Sequence, residues 1–163
     1  MERKAVMNNN DSALHQLAAS ICGVVEERLG ERRERKGGWF CLLDVRGNPT
    51  GVIIIHEPFG DLTPEKSSAY CLFSREKAIR LSAHPEHSTS RESRDEHAER
   101  YGGAVRAGGF IFSFSGLSEE EDEALALAVA YRCGLLPRGT LMGMTTEGIF
   151  RIAMKIIRAG EHT

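Results

Sequence analysis

The chain lacks any closely spaced cysteine pair: Cys22, Cys41, Cys71 and Cys133 are scattered, each inside an apolar segment, and no CxxC occurs. That spacing excludes a zinc ribbon or a CxxC redox site and favours small buried thiols, as expected in a reducing cytoplasm. An excess of one charge is also missing. Lys plus Arg number 21 against 23 Asp plus Glu, for a formal net charge of -2, so electrostatics makes no case for a nucleic acid or an anionic membrane as partner. No apolar run approaches the roughly 20 residues of a bilayer span, and the opening "MERKAVMNNNDS" has no signal-like apolar stretch. Nucleophile elbow, P-loop and dinucleotide fingerprint are absent too; Gly102, Gly103, Gly108 and Gly109 do not spell GxGxxG. Without a complete set of catalytic parts, the residues assign no reaction.

What is present is enough for one domain, since 163 residues can bury a core without disulfides or metal. Leu14, Leu17, Ala18, Ile21, Val24, Val25 and Leu29 recur at helical spacing behind a cap at Asp11 or Ser12 and predict a first helix. The mixed-charge run Glu31 to Gly38 reads as a solvated connector. "WFCLLDV" and "GVIIIHE" flank the turn-rich "RGNPT" and predict an antiparallel hairpin with both strands largely buried. Asp44, at the end of the first, suits an Asx-type turn contact. Thr63 caps a second helix with Pro64 at its first position, and Ala69, Leu72, Phe73, Ile79 and Ala83 form its expected inner stripe. "HPEHSTSRESRDEHAERYGG" has almost no large aliphatics; Thr89 and Glu92 have capping-box spacing and predict a short exposed helix in a surface excursion.

A short strand at Ala104 to Arg106 and a glycine turn lead into Phe110 to Ser115. Alternation there puts Phe110, Phe112 and Phe114 on one face and Ile111, Ser113 and Ser115 on the other. Ser118 and Glu121 then start an alanine-rich helix that runs to Cys133. A Gly/Pro-broken connector precedes a final helix over Thr146 to Arg158. Hairpins separated by helices predict an α+β fold with a mainly antiparallel sheet.

The corner Ser115-Gly116 offers a hydroxyl and backbone amides at a helix start, a combination suited to an anionic group such as a carboxylate. Ser113 shares the face of Ser115, whereas Lys77, a lysine on a helix, reads from the residues alone as solvated. His56 closes the run Val52 to Ile55 and is a weak candidate ligand for haem iron. His84, His87 and His97 are weak metal candidates only: His84-Pro85-Glu86-His87 is not HExxH, and the proline interrupts any helix that would align the pair.

Three stretches together resemble the GlcG/HbpS-like family, the haem-degrading domain family that also forms the C-terminal domain of PduO-type proteins. They are "LLDVRGNPTGV" (Leu42 to Val52), "REKAIRLSA" (Arg75 to Ala83) and "YGGAVRAGGFIFSFSGLSEEEDEALA" (Tyr101 to Ala126). The resemblance spans roughly Leu14 to Gly134 and puts Lys77, Ala78, Gly102, Gly103, Ser115, Gly116 and Asp122 on family motif positions. It implies a profilin- or roadblock-like five-stranded antiparallel sheet flanked by helices, with a core over about residues 12–134 and an extra terminal helix over about 145–159. It further implies a small-molecule ligand, with haem, another tetrapyrrole or a small carboxylated molecule as the choices, in a pocket between helix and sheet lined by Lys77, Gly102, Gly103, Ser113, Ser115 and Gly116. Lys77 would pair with that ligand or with Asp122. Where the family has small aliphatics before Ser-Gly, this chain has "FIFSFSG", so an alternative expectation is a non-catalytic oligomeric module whose pocket is vestigial.

Ile149, Phe150, Ile152, Ala153, Ile156 and Ile157 of the final helix are too many for one narrow stripe. The expectation is a helix touching two surfaces, one of them a second subunit of a homo-oligomer.

Overall fold

The structure is a computed structural model that describes Gly23 and residues 37–161. The helix expected over Leu14 to Leu29, its cap and Cys22 lie outside the described residues, Gly23 excepted. Strands β1 (Gly37–Asp44) and β2 (Val52–Gly60) form the expected antiparallel hairpin, with a bulge between Leu42 and Leu43. Helix α1 (Pro64–Ser82) follows; the Thr63 hydroxyl accepts from the Lys66 amide and Pro64 opens the first turn, where a missing N–H is harmless. Strands β3 (Ala104–Ala107) and β4 (Phe110–Ser115) make the second hairpin, and α2 (Glu119–Arg132), α3 (Arg138–Met144) and α4 (Glu147–Glu161) complete the chain. The Ser118 hydroxyl accepts from the Glu121 amide and caps α2 as the sequence predicts. No helix among the described residues is long and apolar enough to cross a membrane.

The fold is α+β, but among the described residues the sheet has four strands rather than five, in the order β2-β1-β4-β3, all antiparallel. On the outer edge of β3, where a fifth strand would lie, the chain makes only one bridge, Thr89 to Val105, and the Arg106 amide donates to Ser88 O (2.8 Å). The segment has no alternating apolar residues to hold an extended ladder. Its capping spacing wins instead: the Glu92 carboxylate accepts from the Ser88 and Thr89 amides (2.7 and 3.0 Å) and starts a single 3-10 turn, Ser90–Ser93. Thr89 and Ser90 are buried, so this short helix is not the wholly exposed element expected.

Alternation along the strands separates two layers. Phe40, Leu42, Val105, Ala107, Phe110, Phe112 and Phe114 pack with α2 and α4 on one side of the sheet. Cys41, Leu43, Ala104 and Ile111 pack with Ala78 and Leu81 of α1 on the other. β4 is buried along its whole length because both of its faces are covered. Its hydroxylated face is the floor on which α1 lies, and Ser113 donates to Ser74 O (2.7 Å).

Three expectations are corrected. β2 is an edge strand with Val52 and Ile53 exposed, so only β1 is largely buried. Gly37 and Gly38 belong to β1 and are buried, not part of a solvated connector; a Cβ on Gly38 would lie 2.5 Å from the Phe114 ring and from Ser115 O. The inner row of α1 is Ser74, Lys77, Ala78, Leu81 and Ser82, whereas Leu72, Ile79 and Ala83 face outward. The floor mixes Cys41, Ala104 and Ser113 with Leu43 and Ile111, and it meets the α1 face that carries both apolar Ala78 and Leu81 and polar Ser74. In α4, Ile149, Ala153, Ile156 and Ile157 are buried and Phe150 and Ile152 half-buried in this chain's own core, to which Leu141 and Met144 of α3 also belong.

Candidate functional site

Two of the three stretches that carry the resemblance, Arg75 to Ala83 and Tyr101 to Ala126, meet around the end of β4, whereas Leu42 to Val52 pairs with the start of β4 at the opposite end of the sheet, Asp44 opposite Phe110. Gly116 has φ +151, and a Cβ there would lie 2.4 Å from Gly37 O and 2.5 Å from Gly38 Cα, so β1 and the β4 exit approach as only glycine allows. The turn delivers Leu117 N to Asp122 Oδ1 (2.9 Å) in the first turn of α2. Asp122 Oδ2 in turn meets Lys77 Nζ at 3.0 Å, and the same ammonium donates to Phe114 O (3.0 Å). Lys77 and Asp122 are each about 2 % exposed, so this is an ion pair inside the protein. Gly103, φ +126, closes the cluster: a Cβ there would lie 2.8 Å from both Asp122 Cβ and Lys77 Nζ. Of the two partners expected for Lys77, the structure shows Asp122.

Above this cluster opens a cleft of about 290 Å³. Lys77, Ser115, Gly116 and Asp122 form its floor, Tyr70, Phe73 and Tyr101 its aromatic walls, and Arg94 with Glu119 its mouth. Phe73 and Tyr101 meet edge-on at 5.6 Å between ring centroids. Arg94 Nε donates to both Glu119 oxygens (2.9 and 3.0 Å), and Glu119 Oε1 also accepts from the Gly102 amide (2.9 Å). Burial pushes the Glu119 carboxyl up, yet the Arg94 hydrogen bond, the Gly102 amide and the Arg94 charge outweigh it and hold the group below its usual range. Among the five acids that open α2, Glu119 is matched by Arg94, Asp122 by Lys77, and Glu123 by Thr145 and Arg91.

Ser113 and His56 do not join the cleft. Ser113 is sealed by Ser74 O beneath α1. His56 faces β1 across the hairpin, its ring edge-on to Trp39 at 4.8 Å, with Nε2 3.1 Å from Cys71 O and 3.2 Å from Ser74 Oγ. A carbonyl only accepts, so Nε2 carries the proton. The described residues lining the cleft include no histidine, cysteine or methionine, and the donor set does not fit a haem iron held through His56. The phenylalanines of β4 lie on the opposite side of the sheet from α1 and do not plug the crevice.

Burial lowers the His56 pKa, the nearby Arg75 charge adds to this, and the Cys71 hydrogen bond opposes it. The unfolded chain then binds the proton more readily than the folded one, so stability falls as pH drops through the unfolded value of about 6.5 and stops falling below the folded pKa. Urea midpoints at pH 7.5 and 5.5 should show a smaller loss for His56→Gln than for the wild type. Equal losses would remove His56 as the cause.

Sequence reasoning missed Tyr70, Tyr101, Arg94 and Glu119 as wall and mouth residues. Tyr101 carried a local signal, standing directly before Gly102-Gly103; Arg94 did not, because it reaches Glu119 only through the tertiary fold. Asp44 makes its predicted turn contact: Oδ1 accepts from the Arg46 amide (3.0 Å), and Arg46 extends over the Phe110 ring. Cys41, Cys71 and Cys133 are free thiols, and burial pushes Cys41 and Cys133 up to about 12, which makes them inert at neutral pH. The chain matches no family model, and no curated protein or solved structure matches it significantly.

Proposed function

We propose that this is a small-molecule-binding domain of the GlcG/HbpS-like kind, taking a compact carboxylated ligand in the cleft between α1 and the end of β4. The observation that carries the reading is convergence: Lys77, Gly102, Gly103, Ser115, Gly116 and Asp122, chosen by resemblance over 46 residues of chain, gather within or directly behind one cleft. Two of the three Lys77 protons go to Phe114 O and Asp122, and the third is available to a ligand oxygen. Arg94, released from Glu119, supplies a second cation at the mouth. The aromatic walls favour a flat ring. A volume of about 290 Å³ lies at the small end of ligand pockets, so an aromatic carboxylate fits inside, whereas a tetrapyrrole would have to lie across the mouth with its propionates toward Lys77 and Arg94.

The test is a 15N-labelled sample titrated with benzoate, with benzamide as the neutral match, while hemin is titrated separately and read at its Soret band. Saturable shifts at the Gly102, Gly103 and Gly116 amides with benzoate, at least ten-fold weaker with benzamide and reduced in Arg94→Gln, support the reading. A saturable Soret shift at micromolar hemin points to the tetrapyrrole version. Absence of both responses defeats the proposal.

A second reading, a non-catalytic homo-oligomeric module, is favoured by a different observation: the outer face of α1 leaves Leu72 65 % and Ile79 42 % exposed. Two such side chains on the same helix face, two turns apart, suit pairing with a second copy. Light scattering should then give a dimer that Leu72→Glu with Ile79→Glu converts to a folded monomer; a monomeric wild type ends this reading.

A further inference from the structure

Beyond the cleft, at the far end of α1, His84, Glu86 and His87 come together in a way that the linear spacing conceals. The chain leaves α1 through a turn closed by His87 N donating to His84 O (2.9 Å), with Pro85 in the position where its fixed φ favours such a turn. The proline that rules out a helix therefore sets the first and fourth residues of the turn side by side. Their rings stack at 4.7 Å between centroids with 13° between planes. Glu86 Oε1 lies between them, 3.2 Å from His84 Nδ1 and 3.6 Å from His87 Nε2.

We propose that His84, Glu86 and His87 form a binding site for a divalent transition-metal ion of the zinc type. Two imidazole nitrogens and one carboxylate oxygen are the borderline donor set such ions prefer. With metal–ligand bonds of about 2.0–2.2 Å, the edges of a tetrahedron are about 3.3 Å, close to the two separations above. The donor atoms of all three residues lie within 4.8 Å of one another; the half-buried His84 ring must turn out of its stack on His87 for both nitrogen lone pairs to meet one ion, and the exposed Glu86 side chain follows. The turn itself is already braced. Arg106, on β3, donates to Leu81 O (2.6 Å), His84 O (3.1 Å) and His87 O (3.2 Å), fixing the backbone of both histidines against the sheet. Little of the binding energy is then spent on ordering the chain. His97, placed with these histidines as a candidate from sequence, sits exposed in a separate 3-10 turn, Glu96–Ala98, and is not part of the cluster. Three protein ligands leave the fourth position facing solvent.

The measurement is calorimetric titration of zinc chloride into the metal-stripped full-length chain, with cobalt(II) absorption as a report on coordination. The expected result is one saturable site at micromolar zinc with a tetrahedral-type cobalt spectrum, weakened at least ten-fold in His84→Ala and in His87→Ala. Circular dichroism checks that each variant is folded. His84 is the more exposed of the two, so His84→Ala keeps the test decisive should His87→Ala fail to fold. No saturable binding below 100 µM (about 5.5 kcal/mol at 25 °C), or unchanged binding in a folded variant, overturns the proposal.

Discussion

Lys77→Met should lower the unfolding free energy by about 3–5 kcal/mol, because it removes the cation from a buried carboxylate that stays behind. Lys77 Nζ and Asp122 Oδ2 are 3.0 Å apart with both side chains nearly inaccessible, and the ammonium also satisfies Phe114 O at the end of β4. Methionine matches the length of the lysine stem, so packing changes little and electrostatics dominates. The double variant Lys77→Met with Asp122→Asn should recover a large part of the loss, since the amide oxygen can still accept from Leu117 N while no charge is stranded. Urea denaturation followed by circular dichroism reads both. If the single variant loses less than about 1 kcal/mol, the pair is not held as described, and the floor of the cleft is more hydrated than its burial implies.

Gly116→Ala should be comparably severe for a steric reason. The added methyl would fall 2.4 Å from Gly37 O and 2.5 Å from Gly38 Cα, both main-chain atoms of β1, so no side-chain rotation relieves the contact. Overpacking costs about 1–3 kcal/mol, and strain at φ +151 adds a further 1–3 kcal/mol or so. A control is at hand: Gly139→Ala, in α3, meets nothing within 4 Å and should be neutral or slightly stabilising. Thermal melts of the two variants separate a positional requirement from a general effect of losing glycine. Equal melting temperatures would show that β1 can withdraw from the β4 exit.

These effects concentrate where the resemblance also points, and part of that coincidence has a plain physical origin. Glycines that let two strands and a helix start come together also create a corner with little side-chain cover, and such a corner is what a small ligand needs. The cleft over Lys77 and Ser115 exists because the corner beneath it is built from glycine, serine and an internal ion pair rather than from large apolar side chains.

Local structure was legible from residue order. Thr63-Pro64 and Ser118 start their helices where short-range capping dictates, "RGNPT" turns the first hairpin, Asp44 bonds the Arg46 amide, and the phenylalanine alternation of β4 assigns its two faces correctly. Each of these depends on contacts within a few residues. What the alternation could not reveal is that both faces of β4 are covered, because a period of two reports which side chains share a face and not what lies against it. The inner face of α1 was misjudged for the same reason. Apolar spacing pointed to Leu72 and Ile79, but the mixed floor of Cys41, Leu43, Ala104, Ile111 and Ser113 meets the row with Ser74, Lys77 and Ala78.

By itself, then, the sequence determined the elements, their caps and turns, the α+β class and the residue types available for chemistry. The tertiary structure alone decided the strand order β2-β1-β4-β3, the absence of a fifth strand among the described residues, and the pairing of Lys77 with Asp122 across 45 positions. It also set His97 apart from His84, Glu86 and His87. The division follows range: hydrogen bonds and sterics within a turn act on neighbouring residues, whereas burial is a property of whole faces, settled only when distant segments compete to cover them.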